Sequence, residues 1–80
     1  IFIGISTSGR SPNIVAALKA ARENGVATIG MTGAKDGGMN ALCDIVLAAP
    51  VEETALIQQI HITAAHVICE MVESGLFGAR

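Results

Sequence analysis

Residues 1–5, I-F-I-G-I, form an almost unbroken apolar run interrupted only by Gly4. A run this short, made chiefly of isoleucine, reads as a strand buried on both faces, the form strands take in a parallel sheet. The period then changes. Ile14, Val15, Leu18 and Ala21 or Ala20 recur at helical spacing, which predicts a helix with Ser11 as its N-cap, Pro12 in its first position and Asn24-Gly25 as its stop. A second apolar run at 26–31, V-A-T-I-G-M, completes strand, helix and strand in about thirty residues, the span of a βαβ unit with a right-handed crossover. Residues 32–38 form a turn-rich loop at the carboxyl end of that strand. Ligands usually sit at this edge of an open α/β sheet, although a Gly-rich turn is also a common plain surface loop.

Residues 39–43 have the length for one or two helical turns, and 45–49 read as a third strand stopped by Pro50. A long helix follows. Glu52 and Glu53 suit its positive end, and Ala55, Ile57, Ile60, Ile62, Ala64, Ala65, Val67, Ile68, Met71 and Val72 put apolar groups round much of its circumference. This pattern predicts a helix of roughly 30 Å, buried on two sides and running to about Glu73, with Ser74-Gly75 as the stop.

Composition narrows the class. Hydrophobic residues make up 51% of the 80, with two Phe, no Tyr and no Trp, so the core must be built from Ile, Val, Leu and Ala. That suits an α/β fold with a buried parallel sheet. A chain of this length forms at most one small domain, and its start inside an apparent strand, without an initiator Met, is read as the C-terminal part of a longer protein. A formal net charge of −2, with five Lys and Arg together, gives no electrostatic reason to expect nucleic acid binding. No signal-peptide pattern and no apolar run of membrane-spanning length is read, so a cytoplasmic location is expected. Cys43 and Cys69 fall on different elements without C-x-x-C spacing, which predicts buried, reduced thiols.

The candidate chemistry begins at residues 5–13, I-S-T-S-G-R-S-P-N. Helix N-terminal N–H groups and the hydroxyls of Ser6, Thr7, Ser8 and Ser11 can converge there on a phosphate, while the same residues also describe a solvated turn with an N-cap. Neither a Walker A nor a G-x-G-x-x-G pattern is present. The stretch resembles the signature of the sugar isomerase (SIS) domain family, most closely that of the phosphoheptose isomerases. By that resemblance Ser6, Thr7, Ser8 and Ser11 hold a sugar phosphate. Arg10 stands where the closest relatives commonly have Asn, and the resemblance assigns it no role. Residues 32–50 are similar to the same family's T-G-x-x-G-G-x-x-A-x-x-A-D-x-x-x-x-x-P pattern, with Cys43 in place of the last Ala.

The last helix holds the two histidines, His61 and His66, about 140° apart round its axis, which excludes an i, i+4 metal pair. Gln58 and His66 fall about 80° apart and about 12 Å along the axis. A lone His on an apolar helix is more often a core or interface group than a ligand. Residues 55–66, however, resemble the R-I-Q-E-x-H-x-x-x-x-H motif of phosphoheptose isomerases, with Leu56 for Arg and Gln59 for Glu. By that resemblance Gln58 and His66 help bind zinc and His66 is also an acid/base catalyst. The remaining ligands, a His and a Glu, lie upstream of this chain.

The resemblance implies a three-layer α/β/α sandwich with a parallel sheet, Rossmann-like or flavodoxin-like, of which this chain is the C-terminal fragment. It further implies a zinc-dependent isomerase of carbohydrate metabolism. The reaction would convert sedoheptulose 7-phosphate to D-glycero-D-manno-heptose 7-phosphate in heptose biosynthesis, in a homo-oligomer, by resemblance a tetramer. Without the upstream carboxylate the fragment alone is expected to be inactive. The alternative is a non-catalytic SIS-domain regulator that binds a phosphorylated sugar, such as a replication-initiator-binding protein.

Overall fold

The computed structural model describes residues 1–35 and 37–78. Three parallel strands, β1 (Phe2–Ile5), β2 (Thr28–Thr32) and β3 (Ile45–Ala48), lie side by side in sequence order. Gly4 pairs with Gly30 and Gly30 with Val46, so the registers of the two ladders coincide. Helix α1 (Pro12–Glu23) connects β1 to β2, a 3-10 turn at Asn40–Leu42 precedes β3, and helix α2 (Thr54–Phe77) closes the chain. The architecture is α/β with a parallel sheet, as the apolar runs predict.

One face of the sheet is filled. Ile14 and Leu18 of α1 lie 3.1 to 3.3 Å from where a Cβ on Gly4 would stand, so the helix sits directly on the β1 backbone. Leu18 and Met39 are fully buried there. Ala21 is half-buried and Ala20 exposed, which decides between the two candidates for the helix face. On the opposite face Ile3, Ile5, Ile45 and Leu47 are exposed, and only Met31 among their neighbours on β2 is fully buried.

The second strand starts two residues later than the apolar run. Gly25 has φ 71°, and the Val26 N–H turns back to the Ala21 carbonyl at 2.9 Å, closing the helix terminus with a donor that cannot then join the ladder. At its far end β2 gains Thr32, whose carbonyl accepts the Ala49 N–H at 2.9 Å. The 3-10 turn is shorter than the one or two helical turns expected of 39–43. Asp36, part of the expected turn segment, lies outside the described residues, as do Ala79 and Arg80 of the tail.

Helix α2 departs most from expectation. It passes through Ser74 and Gly75 and ends at Gly78, with φ 81°. An internal Gly costs a helix only about 1 kcal/mol, and two apolar residues, Leu76 and Phe77, follow it. The expected burial on two sides is not found: Ile57 and His61 are its buried residues, while Leu56, Ile62, Val67, Met71, Val72, Leu76 and Phe77 are exposed. By length and composition α2, at 24 residues and mean hydropathy 1.2, is apolar enough to cross a membrane, which corrects the reading of no such run. That average passes over Gln58, Gln59, His61, Thr63 and His66, and burial of His61 against the sheet ties this end of the helix to protein.

The thiols are free, as expected, but not both buried. Cys69 is exposed on α2. Cys43 is half-buried, its Sγ donates to the Met39 carbonyl at 3.4 Å, and burial first, then the neighbouring Asp44, raises its pKa.

Candidate functional site

All three strands deliver their loops to one edge of the sheet. After β1 the chain turns through Ser6 to Arg10, after β2 through Gly33 to Lys35, and after β3 it reaches Glu52 and the first turn of α2. Between these segments lies a cleft of about 350 Å³, lined by Thr7, Ser8, Arg10, Lys35, Glu52 and Thr54 among others. The turn after β2, for which a surface-loop reading was open, is thus one wall of the cleft.

Ser6 is buried and organises the first loop. Its Oγ accepts the Gly9 N–H at 3.1 Å and lies 2.8 Å from Ser11 Oγ and 3.4 Å from Ser8 Oγ. Ser8 Oγ in turn accepts the Arg10 N–H at 3.1 Å. Ser11 occupies the N-cap position of α1, but its hydroxyl is turned to Ser6 and no side chain caps the helix. The consequence is electrostatic: first-turn N–H groups, with the positive end of the helix dipole, lack the usual side-chain oxygen and are left to an incoming anion. Of the four expected phosphate-binding hydroxyls, Thr7 and Ser8 line the cleft, and Ser6 with Ser11 forms the pair beneath them.

Two glycines allow the walls to approach. A Cβ on Gly33 would fall 2.7 Å from the Thr7 carbonyl oxygen and 2.6 Å from Ile57 Cδ1, where β1 loop, β2 loop and α2 meet. A Cβ on Gly37 would fall 2.5 Å from the Ser8 carbonyl oxygen and on the stem of Arg10. No sequence pattern identified Lys35, Glu52, Thr54 or Ile57 as lining residues. The signal available was their position immediately beyond the strand ends.

The expected metal donors are placed differently. Gln58 and His66 are both exposed and neither lines the cleft. Ile57 and His61, four residues apart, face the sheet. His66 is nine residues beyond Ile57 and so about 180° round the helix, facing away. Among the described residues no group of three or more His, Cys, Asp or Glu side chains is placed to hold a metal ion. Gln58 and His66 alone therefore do not make a zinc site: they lie about 12 Å apart along the axis.

Comparison with known proteins bears on the family and the fold. The family model described as SIS domain matches residues 1–74. A phosphoheptose isomerase of Nitratidesulfovibrio vulgaris (strain DSM 19637 / Miyazaki F) is 54% identical over 77 residues, which is 96% of this chain and 37% of that protein. Another, of Bradyrhizobium sp. (strain ORS 278), is 55% identical over 76 residues, 95% of this chain and 38% of that protein. Among solved structures, a phosphoheptose isomerase from Neisseria gonorrhoeae superposes with a TM-score of 0.81 at 42% identity, covering 88% of this chain and 40% of that one. One from Francisella tularensis gives 0.85 at 31% identity, covering 90% and 41%. The chain thus spans less than two-fifths of the length of these curated relatives. With the hydroxyl-lined loop, the parallel sheet and the matched span taken together, this chain belongs to the SIS domain family.

Proposed function

We propose that this chain is part of a phosphoheptose isomerase, which interconverts sedoheptulose 7-phosphate and D-glycero-D-manno-heptose 7-phosphate in the cytoplasm. The observation that carries the reading is the cleft at the carboxyl edge of the sheet, walled by Thr7, Ser8 and Arg10 of the loop that leads into α1, in a chain about 54% identical to proteins of that name. The phosphate end of the sugar binds in this cleft. Hydroxyls and helix N–H groups hold the phosphate in both ketose and aldose, so they act as a handle that positions the reacting carbons elsewhere.

The reaction moves one proton between adjacent carbons and a second between their oxygens, so that a ketone becomes a hydroxyl-bearing carbon and its neighbour an aldehyde, with no net oxidation. His66 is proposed to take or return the carbon-bound proton, since an imidazole nitrogen can act as general base and its conjugate acid as general acid. It faces away from the sheet, so the reacting carbons reach it only if further structure folds over α2. The exposed apolar residues round α2, Ile62, Val67, Met71 and Val72, favour assembly as a homo-oligomer, with a tetramer proposed. Zinc enters the proposal only with donors from outside the described residues joining Gln58 and His66.

The test is turnover of sedoheptulose 7-phosphate by the intact protein, alongside His66→Gln. Loss of turnover in the variant, with sugar-phosphate affinity kept, is the expected result. Turnover near wild type would remove His66 from the chemistry. Tight sugar-phosphate binding by the unaltered protein without turnover would move the reading to a binding regulator.

A further inference from the structure

Among the described residues three charged side chains border the cleft, and they do not cancel. Lys35 Nζ lies 3.5 Å from Glu52 Oε1, joining the wall after β2 to the wall after β3, so this pair contributes little net charge. Arg10 is the remaining charge, and its guanidinium has no hydrogen-bond or ion-pair partner among the described residues. Its backbone is nevertheless fixed. The Arg10 N–H donates to Ser8 Oγ at 3.1 Å, and the first methylenes of its side chain cross the bare backbone of Gly37, where any Cβ would collide with them. The residue is thus anchored at its root between a lining hydroxyl and the opposite loop, with a cation at the cleft that no described residue compensates.

We propose that Arg10 is a direct ligand of the phosphate bound in this cleft and makes the site selective for the dianionic form of a phosphate monoester. This rests on the reading of the cleft as the phosphate site. A guanidinium presents parallel N–H donors that match two phosphate oxygens, and charge-assisted bonds of this kind are roughly twice as strong as neutral ones. The hydroxyls of Thr7 and Ser8 bind a monoanion and a dianion by similar bonds, whereas a fixed cation rewards the second charge. A phosphate monoester gains that charge near pH 6. Affinity should accordingly rise between about pH 5 and 7 (about one unit either side of that value) more steeply with Arg10 than without it.

The experiment is calorimetric titration of the intact protein with sedoheptulose 7-phosphate and, separately, inorganic phosphate, at two pH values and two salt concentrations, for wild type, Arg10→Gln, Arg10→Lys and Ser8→Ala. Arg10 is exposed, so thermal unfolding of its variants should match wild type and exclude misfolding. The expected result is that Arg10→Gln binds both probes about tenfold more weakly, with reduced pH and salt dependence, and that Arg10→Lys recovers part of the loss. Arg10→Gln binding within twofold of wild type while Ser8→Ala is weakened would overturn the role of Arg10 and leave the phosphate cleft standing. Unchanged binding in both Arg10→Gln and Ser8→Ala would overturn the role of Arg10 and the cleft reading together.

Discussion

His61 Nε2 lies 2.8 Å from the carbonyl oxygen of Thr32, and that same oxygen accepts the Ala49 N–H at 2.9 Å. A carbonyl can only accept, so Nε2 carries the hydrogen and the tautomer of the neutral ring is fixed. One oxygen at the end of β2 thus ties the chain leaving β3 and the first half of α2 to the sheet. His61→Ala should lower the stability of the intact protein by about 1 to 3 kcal/mol, through the lost bond and the space left, with little direct effect on phosphate affinity. Urea unfolding paired with phosphate titration checks both halves of this expectation.

At the opposite edge of the sheet Asp44 clamps β2 to β3. Its Oδ2 accepts the Thr28 N–H at 2.8 Å, its own N–H donates to the Thr28 carbonyl at 3.0 Å, and Arg22 lies 3.2 Å from Oδ1. The Thr28 backbone bond, foremost, and the Arg22 guanidinium hold the carboxyl below its ordinary value. A depressed folded pKa means that the unfolded chain binds the proton first on acidification. The stabilisation is therefore complete above the ordinary carboxylate pKa and lost as pH falls through the depressed folded value. Asp44→Asn should flatten that acid limb of the stability curve. Denaturation midpoints followed from pH 6 down through the carboxylate range, about pH 4, would show an unchanged slope if Asp44 were not responsible.

Gly37 should tolerate no side chain. In Gly37→Ala the new methyl group meets the Ser8 carbonyl and the Arg10 stem, so the loop after β1 must move away from the loop after β2. The core is remote from this contact. Phosphate affinity is expected to drop about tenfold or more while the unfolding midpoint changes little, since sub-ångström displacement spoils hydrogen bonds faster than it exposes apolar surface. An unaltered affinity in titration would show that the two loops are not coupled.

Ser6 and Ser8 should separate by kind of defect. Ser8→Ala removes a cleft hydroxyl without core volume, and the loss of a bond to a charged group is worth roughly 1.5 to 3 kcal/mol in ligand affinity. Ser6→Ala instead strips the buried partner of Gly9 N–H and Ser11 Oγ, so it should lower stability as well as affinity. Paired melting and calorimetry on the two variants distinguish them, and equal stability in both would remove Ser6 from the role of loop organiser.

The chain's local signals were legible in one dimension. Three short apolar runs became three parallel strands, but the burial on both faces that such runs predict is met on the α1 side only, with Ile3, Ile5, Ile45 and Leu47 exposed on the other. Ser11-Pro12 and Asn24-Gly25 bounded α1 because helix ends are set by a few adjacent residues, although the Ser11 hydroxyl turns to Ser6 instead of capping the first turn. The hydroxyl loop was equally visible, since Ser6 to Ser11 sit between a strand end and a helix start. What required tertiary structure were relations between distant residues. The division of Ser6 and Ser8 into a buried organiser and a lining group depends on how the loop folds back, Ser6 Oγ taking the Gly9 N–H while Ser8 lines the cleft. Lys35, Glu52 and Thr54 carry no motif and reach the cleft only because parallel strands end at a common edge. The face of α2 was ambiguous in sequence because apolar residues surround the helix, and periodicity cannot choose a side when every side qualifies. The bond from His61 to Thr32 made that choice, turning Ile57 inward and His66 outward.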